Sequence, residues 1–236
     1  MAHILVKDFI TSRLRGASVV AAYTATSIET KYRNLPNDGD QFKLAMYRTM
    51  ENAATAVVMS VAVTEATINE LLSSTEERQV HSPWIRARNR ISTAALQKWT
   101  DIWSSEERMT LIEKCQTMLK VASLSPLPED KGSLQHLSAL IDLRNELVHS
   151  KPVYRAHGQS VPQKDRDPLE RKLTGKFKPS LLVPKTHPFM WERCLSMGCA
   201  QWAVRTQLEF RNDLFRRLGI NSIAEVPDFN VPPQMP

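Results

Sequence analysis

Three side chains able to do chemistry fall within six residues of one another in LIDLRNELVHSKP, residues 140–152: Arg144, Asn145 and His149. A guanidinium is a permanent cation whose donors form a fixed fork, suited to a carboxylate or a phosphate. An imidazole changes protonation near neutrality, which suits general acid or base work. Asn145 and His149 are one helical turn apart, a spacing that lets the amide orient the ring. On a helical wheel Leu137, Leu140, Ile141, Leu147 and Val148 form one apolar stripe with Arg144 in its middle. A charge there is costly unless it is paired or lines a cavity that takes up an anion. Arg144 and His149 are about 140° apart on the wheel, so one helix alone converges them poorly. Two copies meeting across a two-fold axis would bring two Arg and two His into one cleft. The same pattern also serves structure. An Arg in an apolar stripe can reach a helix end or a buried acid, and a His in a last helical turn favours the dipole.

The elements that must position this cluster read as helices. Apolar residues recur at 3.6-residue spacing, seven glycines are scattered singly, and clean alternation over five residues is hard to find, so an all-α fold is expected. The first helix is predicted over 8–33, ending before LPNDGD, and a second over 41–72 with Ala45, Val57, Val61, Ile68, Leu71 and Leu72 on its apolar side. A basic helix with Arg86, Arg88 and Arg90 follows His81 and Pro83. Ser104 with Glu107 reads as a capping box opening a helix to about 122. The motif helix is predicted over 133–150, because Pro152 lacks an amide proton and its ring clashes with the preceding turn. Residues 153–186 read as a long basic loop. His187 and Pro188 start a final helix stopped by Gly219, with Met190, Cys194, Met197, Val204, Leu208, Phe215 and Leu218 along one seam. The expected organisation is a bundle over 1–152, the loop, a C-terminal helix over 187–219 packing on the same domain, and an irregular tail over 220–236.

Composition excludes several classes. The run AATAVVMSVAV, residues 53–63, is too short to span a bilayer, and MAHILVKDFITSR lacks a basic region followed by a signal-length apolar core, so a cytoplasmic protein without a membrane partner is expected. The three cysteines, Cys115, Cys194 and Cys199, are odd in number and lack C-x2-C spacing; neither a disulfide framework nor a metal or other cofactor is expected. Trp84, Trp99, Trp103, Trp191 and Trp202 are expected as core anchors. Charge is concentrated: 151–185 holds nine Lys and Arg against three acids, an excess equal to the formal +6 of the whole chain.

Arg144 followed directly by Asn145, with His149 closing the spacing, resembles the motif of HEPN-superfamily ribonucleases. VTEATINELL, residues 63–72, is similar to the earlier HEPN helix whose Glu faces the motif, which by position is Glu65. The resemblance covers about 40–152. It implies a HEPN-like helical bundle, here with an additional long C-terminal helix, that dimerises through the motif face. It further implies metal-independent RNA cleavage by 2′-OH attack, leaving a 2′,3′-cyclic phosphate and a 5′-hydroxyl. In that chemistry His149 is the general base or acid, Arg144 binds the phosphate, Asn145 positions the imidazole or a phosphate oxygen, and Glu65 holds Arg144 or tunes His149. Kinship suggests a toxin or antiviral defence effector restrained by an antitoxin or regulatory protein.

The basic segment follows His149 almost directly, so Lys151, Arg155, Lys164, Arg166, Arg171, Lys172, Lys176 and Lys178 are candidate contacts to an RNA backbone. Tyr154 and Phe177 are candidates to stack on bases in single-stranded regions. A solvated linker explains the same charges equally well. His157 and His187 read as surface residues. The alternative to the nuclease is a non-catalytic HEPN-like module that binds protein or RNA, distinguished by indifference to both Arg144→Ala and His149→Ala.

Overall fold

The computed structural model describes residues 2–34, 39–73, 98–99, 109–149, 168–220, 225 and 227–229. The fold is all-α, and no strand occurs among the described residues. Helices α1 (Ala2–Tyr32) and α2 (Asp40–Ser73) form a long hairpin. Helices α3 (Leu111–Val121), α4 (Gly132–Val148), α5 (Pro168–Leu173) and α6 (Met197–Leu218) follow. The central element is α2, which touches α1, α3, α4 and α6.

Why α2 can be central is written in its residues. Ala45, Ala53, Ala56, Val57, Val61, Ile68, Leu71 and Leu72 are all buried at three- and four-residue steps. Two of its buried threonines satisfy their hydroxyls on the preceding turn, Thr64 donating to the Ser60 carbonyl at 2.9 Å and Thr67 to Val63 at 2.8 Å. By length and composition α2 is apolar enough to cross a membrane, and 56% of its most apolar window is buried inside the molecule. Where α1, α2 and α6 meet, the seam is built from Ala21, Ala22, Ala25, Ala53, Ala56 and Ala200, small residues that let helix axes approach closely. The larger cluster, with Phe210, Phe215, Met118 and Leu140, lies between α2, α3, α4 and α6.

Several boundaries differ from those expected. Of the helix expected from Ser104 to about 122, residues 109–110 are not helical and the described helix begins after Thr110, whose hydroxyl accepts from the Glu113 amide while Glu113 accepts from the Thr110 amide at 2.7 Å. Ser104 and Glu107 lie outside the described residues, as do Arg86, Arg88 and Arg90. Residues 168–173, expected as loop, form α5. Pro168 suits a first turn, and Leu169 and Leu173, one turn apart, both join the core. The single helix expected from His187 is two pieces, a π-helical turn at Phe189–Arg193 and then α6. The break lies at Ser196, whose hydroxyl donates to the Lys178 carbonyl at 2.8 Å and accepts from the Cys199 amide at 3.0 Å. Beside it Gly198 meets the Lys178 backbone so closely that an added Cβ would lie 2.4 Å from the carbonyl oxygen.

The stop at Gly219 is as expected: its φ is 71°, and Ile220 donates back to the Phe215 carbonyl at 2.8 Å. The described part of the tail is irregular but not idle, because Phe229 is buried and its ring lies 5.2 Å from that of Tyr23. Trp99 and Trp202 are core anchors, the former donating its indole N–H to the Met118 carbonyl at 3.1 Å. Trp84 and Trp103 lie outside the described residues. All three cysteines are free and buried.

Candidate functional site

The motif helix α4 is held in place from three sides. Leu134, Leu137, Ala139, Leu140 and Leu143 are buried against α2 and α6. Ser133 donates to Asp213 at 2.9 Å, and Trp202 donates to the His136 ring at 3.0 Å. Burial pushes His136 below the usual histidine range, aided by the nearby positive charge of Lys176. The buried arc differs from the expected stripe. Leu143 belongs to it, whereas Val148 at the helix end is 55% exposed. On the wheel its centre falls at Leu140, with Arg144 between Leu137 and Leu140 and its guanidinium reaching α2.

Glu65, in the second half of α2, meets Arg144 there in an ion pair between Oε1 and Nη2. The side chains are 42% and 23% exposed, so the pair sits at a surface opening rather than in the core. The other guanidinium nitrogen, Nη1, donates to Asn145 Oδ1 at 3.0 Å. This corrects the expectation that the Asn145 amide orients the imidazole: its side-chain oxygen serves Arg144, and only its backbone carbonyl meets His149, accepting that residue's N–H at 2.8 Å. Nor is His149 in the last helical turn. It is the C-cap, at φ −114° and ψ 22°, with an exposed side chain.

A cavity of about 510 Å³ opens over the Glu65–Arg144 pair. Met109, Leu111, Ile112 and Ile141 supply apolar wall; Asn69, Lys114, Ser138 and Asp142 supply polar groups. A more open groove lies across the ridge formed by Asp142 and Asn145, lined also by His149, Glu146, Leu169 and Lys172. Arg144 and His149 therefore face different hollows of one protomer, as their angular separation requires.

Of the basic candidates, Lys151, Arg155, Lys164 and Arg166 lie outside the described residues, with Tyr154 and His157. Arg171 is exposed on α5. Lys172 is engaged on α4, donating to Ser138 Oγ at 2.8 Å and pairing with Asp142. Lys176 is partly buried, which lowers its pKa, with the charge of Lys172 adding to the effect. Lys178 contributes its backbone to the Ser196 junction. Phe177 packs on the edge of the core, its ring 5.2 Å from Trp202 and 6.3 Å from Phe189 and only partly buried, so aromatic neighbours already occupy part of the face expected to stack on a base. His187 pairs with Glu192.

Asn69, Ser138 and Asp142 were not singled out from the sequence. The only signal was spacing: Asn69 lies one turn beyond Glu65, and Ser138 one turn before Asp142. No model of a known protein family matches the chain, and no curated protein and no solved structure is significantly similar to it. The functional reading therefore rests on this geometry and on the motif.

Proposed function

We propose that the chain is a HEPN-type, metal-independent endoribonuclease. The observation that carries the reading is Arg144, held by Glu65 from a different helix and by Asn145, at the mouth of a cavity, with an exposed imidazole at the end of the same helix. A guanidinium fixed at two nitrogens is preorganised to bind a phosphate and the charge that develops on its oxygens. His149 removes the 2′-OH proton, the 2′-oxygen attacks phosphorus, and the 5′-oxygen leaves with a proton from an acid. The products are a 2′,3′-cyclic phosphate and a 5′-hydroxyl.

Because Arg144 and His149 face separate hollows, the reaction calls for a homodimer in which the imidazole of a second copy completes the site. The half-exposed Val148 beside His149 is apolar surface such a contact would cover. The biological setting consistent with the resemblance is a cytoplasmic toxin or antiviral effector, restrained by an antitoxin or regulatory protein and acting on single-stranded regions of RNA. The test is incubation of wild type, Arg144→Ala and His149→Ala with total RNA in excess EDTA, followed by mapping of the ends. Cleavage by wild type alone, leaving cyclic phosphates, is expected. Equal cutting by the variants, or intact RNA throughout, would instead favour a binding module.

A further inference from the structure

The cavity over Arg144 is larger than a phosphate needs, and its lining is of two kinds. At about 510 Å³ it falls within the roughly 300–1,000 Å³ typical of small-molecule sites. Ile112 from α3 and Ile141 from α4 both line it and offer apolar wall to a flat ring. Asn69 also lines it, and among the described residues nothing hydrogen-bonds its amide, which carries both a donor and an acceptor. The charged lining cancels: Glu65 and Asp142 stand against Lys114 and Arg144. Both carboxylates are also engaged, Glu65 by Arg144 and Asp142 by Lys172.

We infer that this cavity is a base-recognition pocket, taking one unpaired base of an RNA strand between Ile112 and Ile141 with its edge on the Asn69 amide. The occupant rests on the ribonuclease reading. Cancelled charge favours a neutral base over a free, doubly charged mononucleotide, while Arg144 at the same opening meets the phosphate of the strand. Asn69 is then a specificity residue: it chooses which sequence is cut, whereas His149 does the chemistry. An amide can satisfy only bases that offer a matching donor and acceptor, and a mismatch leaves buried polar groups unpaired.

The experiment has two arms in excess EDTA with the full chain. In the first, wild type, Asn69→Ala and Asn69→Asp cut an RNA pool randomised over a single-stranded segment, and the ends are sequenced. In the second, His149→Ala and His149→Ala/Asn69→Ala bind four short oligonucleotides differing in one base, followed by fluorescence anisotropy, with the four nucleoside monophosphates as competitors. Wild type is expected to prefer one base at the cut site, Asn69→Ala to flatten that preference about tenfold, and Asn69→Asp to change it. Cleavage with the same preference in all three proteins overturns the pocket and leaves the nuclease standing. No cleavage, but base-selective binding that Asn69→Ala abolishes, overturns the nuclease and keeps the pocket. Absence of both cleavage and selective binding removes both readings. Asn69-dependent binding of monophosphates without oligonucleotide binding overturns the RNA occupant.

Discussion

Glu29 on α1 and Glu65 on α2 are carboxylates on adjoining long helices, held in opposite ways. Glu29 is wholly buried; its two oxygens accept the Leu181 amide at 2.6 Å and the Met197 amide at 2.7 Å, with the Ser180 hydroxyl adding a third donor. Glu65 is 42% exposed and bonded to a guanidinium at a cavity mouth. The donors on Glu29 are mainly backbone and cannot leave, so this carboxylate fastens α1 to the start of α6. The donor on Glu65 is a side chain that an incoming anion can compete for. A fastening and a site are thus told apart by what binds the carboxylate and by whether a ligand can reach it.

The largest expected effect separates the two regions on activity. His149→Ala should lower RNA cleavage by about 10²- to 10⁴-fold while leaving the urea midpoint nearly unchanged, because the side chain is exposed. Arg144→Ala should also abolish cleavage and cost less than about 1 kcal/mol of stability, since its pair with Glu65 is solvent-screened. A stability loss of several kcal/mol in Arg144→Ala would move that residue to the fastening side.

Glu29→Ala should do the reverse. It strands two amide donors in the interior, costing about 2–4 kcal/mol in urea denaturation, with cleavage per folded molecule unaltered. Burial, the largest influence, pushes the Glu29 carboxyl above its ordinary 4.5, against the pull of the donors from Met197, Leu181 and Ser180. A folded pKa above the unfolded one means that the native state binds the extra proton. The contribution of Glu29 to stability therefore increases as pH falls through the folded value and levels off below about 4.5. Stability measured from pH 7 down to 4.5 should show that rise in wild type and lack it in Glu29→Gln; parallel curves would count against it.

Gly198→Ala tests the same fastened region through its backbone. The Cβ would press on the Lys178 carbonyl, which the Ser196 hydroxyl holds in place, so about 1–3 kcal/mol is expected in thermal or urea unfolding. A neutral result would mean that the segment around Lys178 yields.

What the sequence disclosed follows the same division. Periodicity located α2 and the Gly219 stop because those features depend on residues within a turn or two of each other. Arg144 and His149 stood out because their chemistry is unusual on an apolar helix, and Glu65 was reached through the family resemblance. Glu29 was invisible, since a glutamate on a long helix is ordinary until the Leu181 amide, 152 residues away, closes on it. The break at Ser196 was hidden likewise: Gly198 shows no local reason to exist until the Lys178 backbone arrives beside it. The capping box at Thr110 was missed, although Thr110 with Glu113 has the same spacing as Ser104 with Glu107: a local pattern does not single out the box that opens a helix. In α5 the basic charges masked Leu169 and Leu173, whose one-turn spacing carries the helix.

Lys172 lies between the two regions, and the smallest expected effect decides where it belongs. Its ammonium ties α5 to α4 through Ser138 and Asp142, yet the ion pair is 37% and 47% exposed, so Lys172→Ala should cost less than about 1 kcal/mol. Its other expected consequence concerns RNA. Lys172 lines the groove that holds His149, and removing it should reduce the salt dependence of RNA binding by about one released counterion. Affinity measured at several salt concentrations for wild type, Lys172→Ala and Lys172→Arg distinguishes the roles. A shallower slope in Lys172→Ala, restored in Lys172→Arg, places the residue with Glu65 and Arg144, where a paired charge is released to a phosphate. An unchanged slope with a stability loss of several kcal/mol places it with Glu29, as a fastening whose partners never let go.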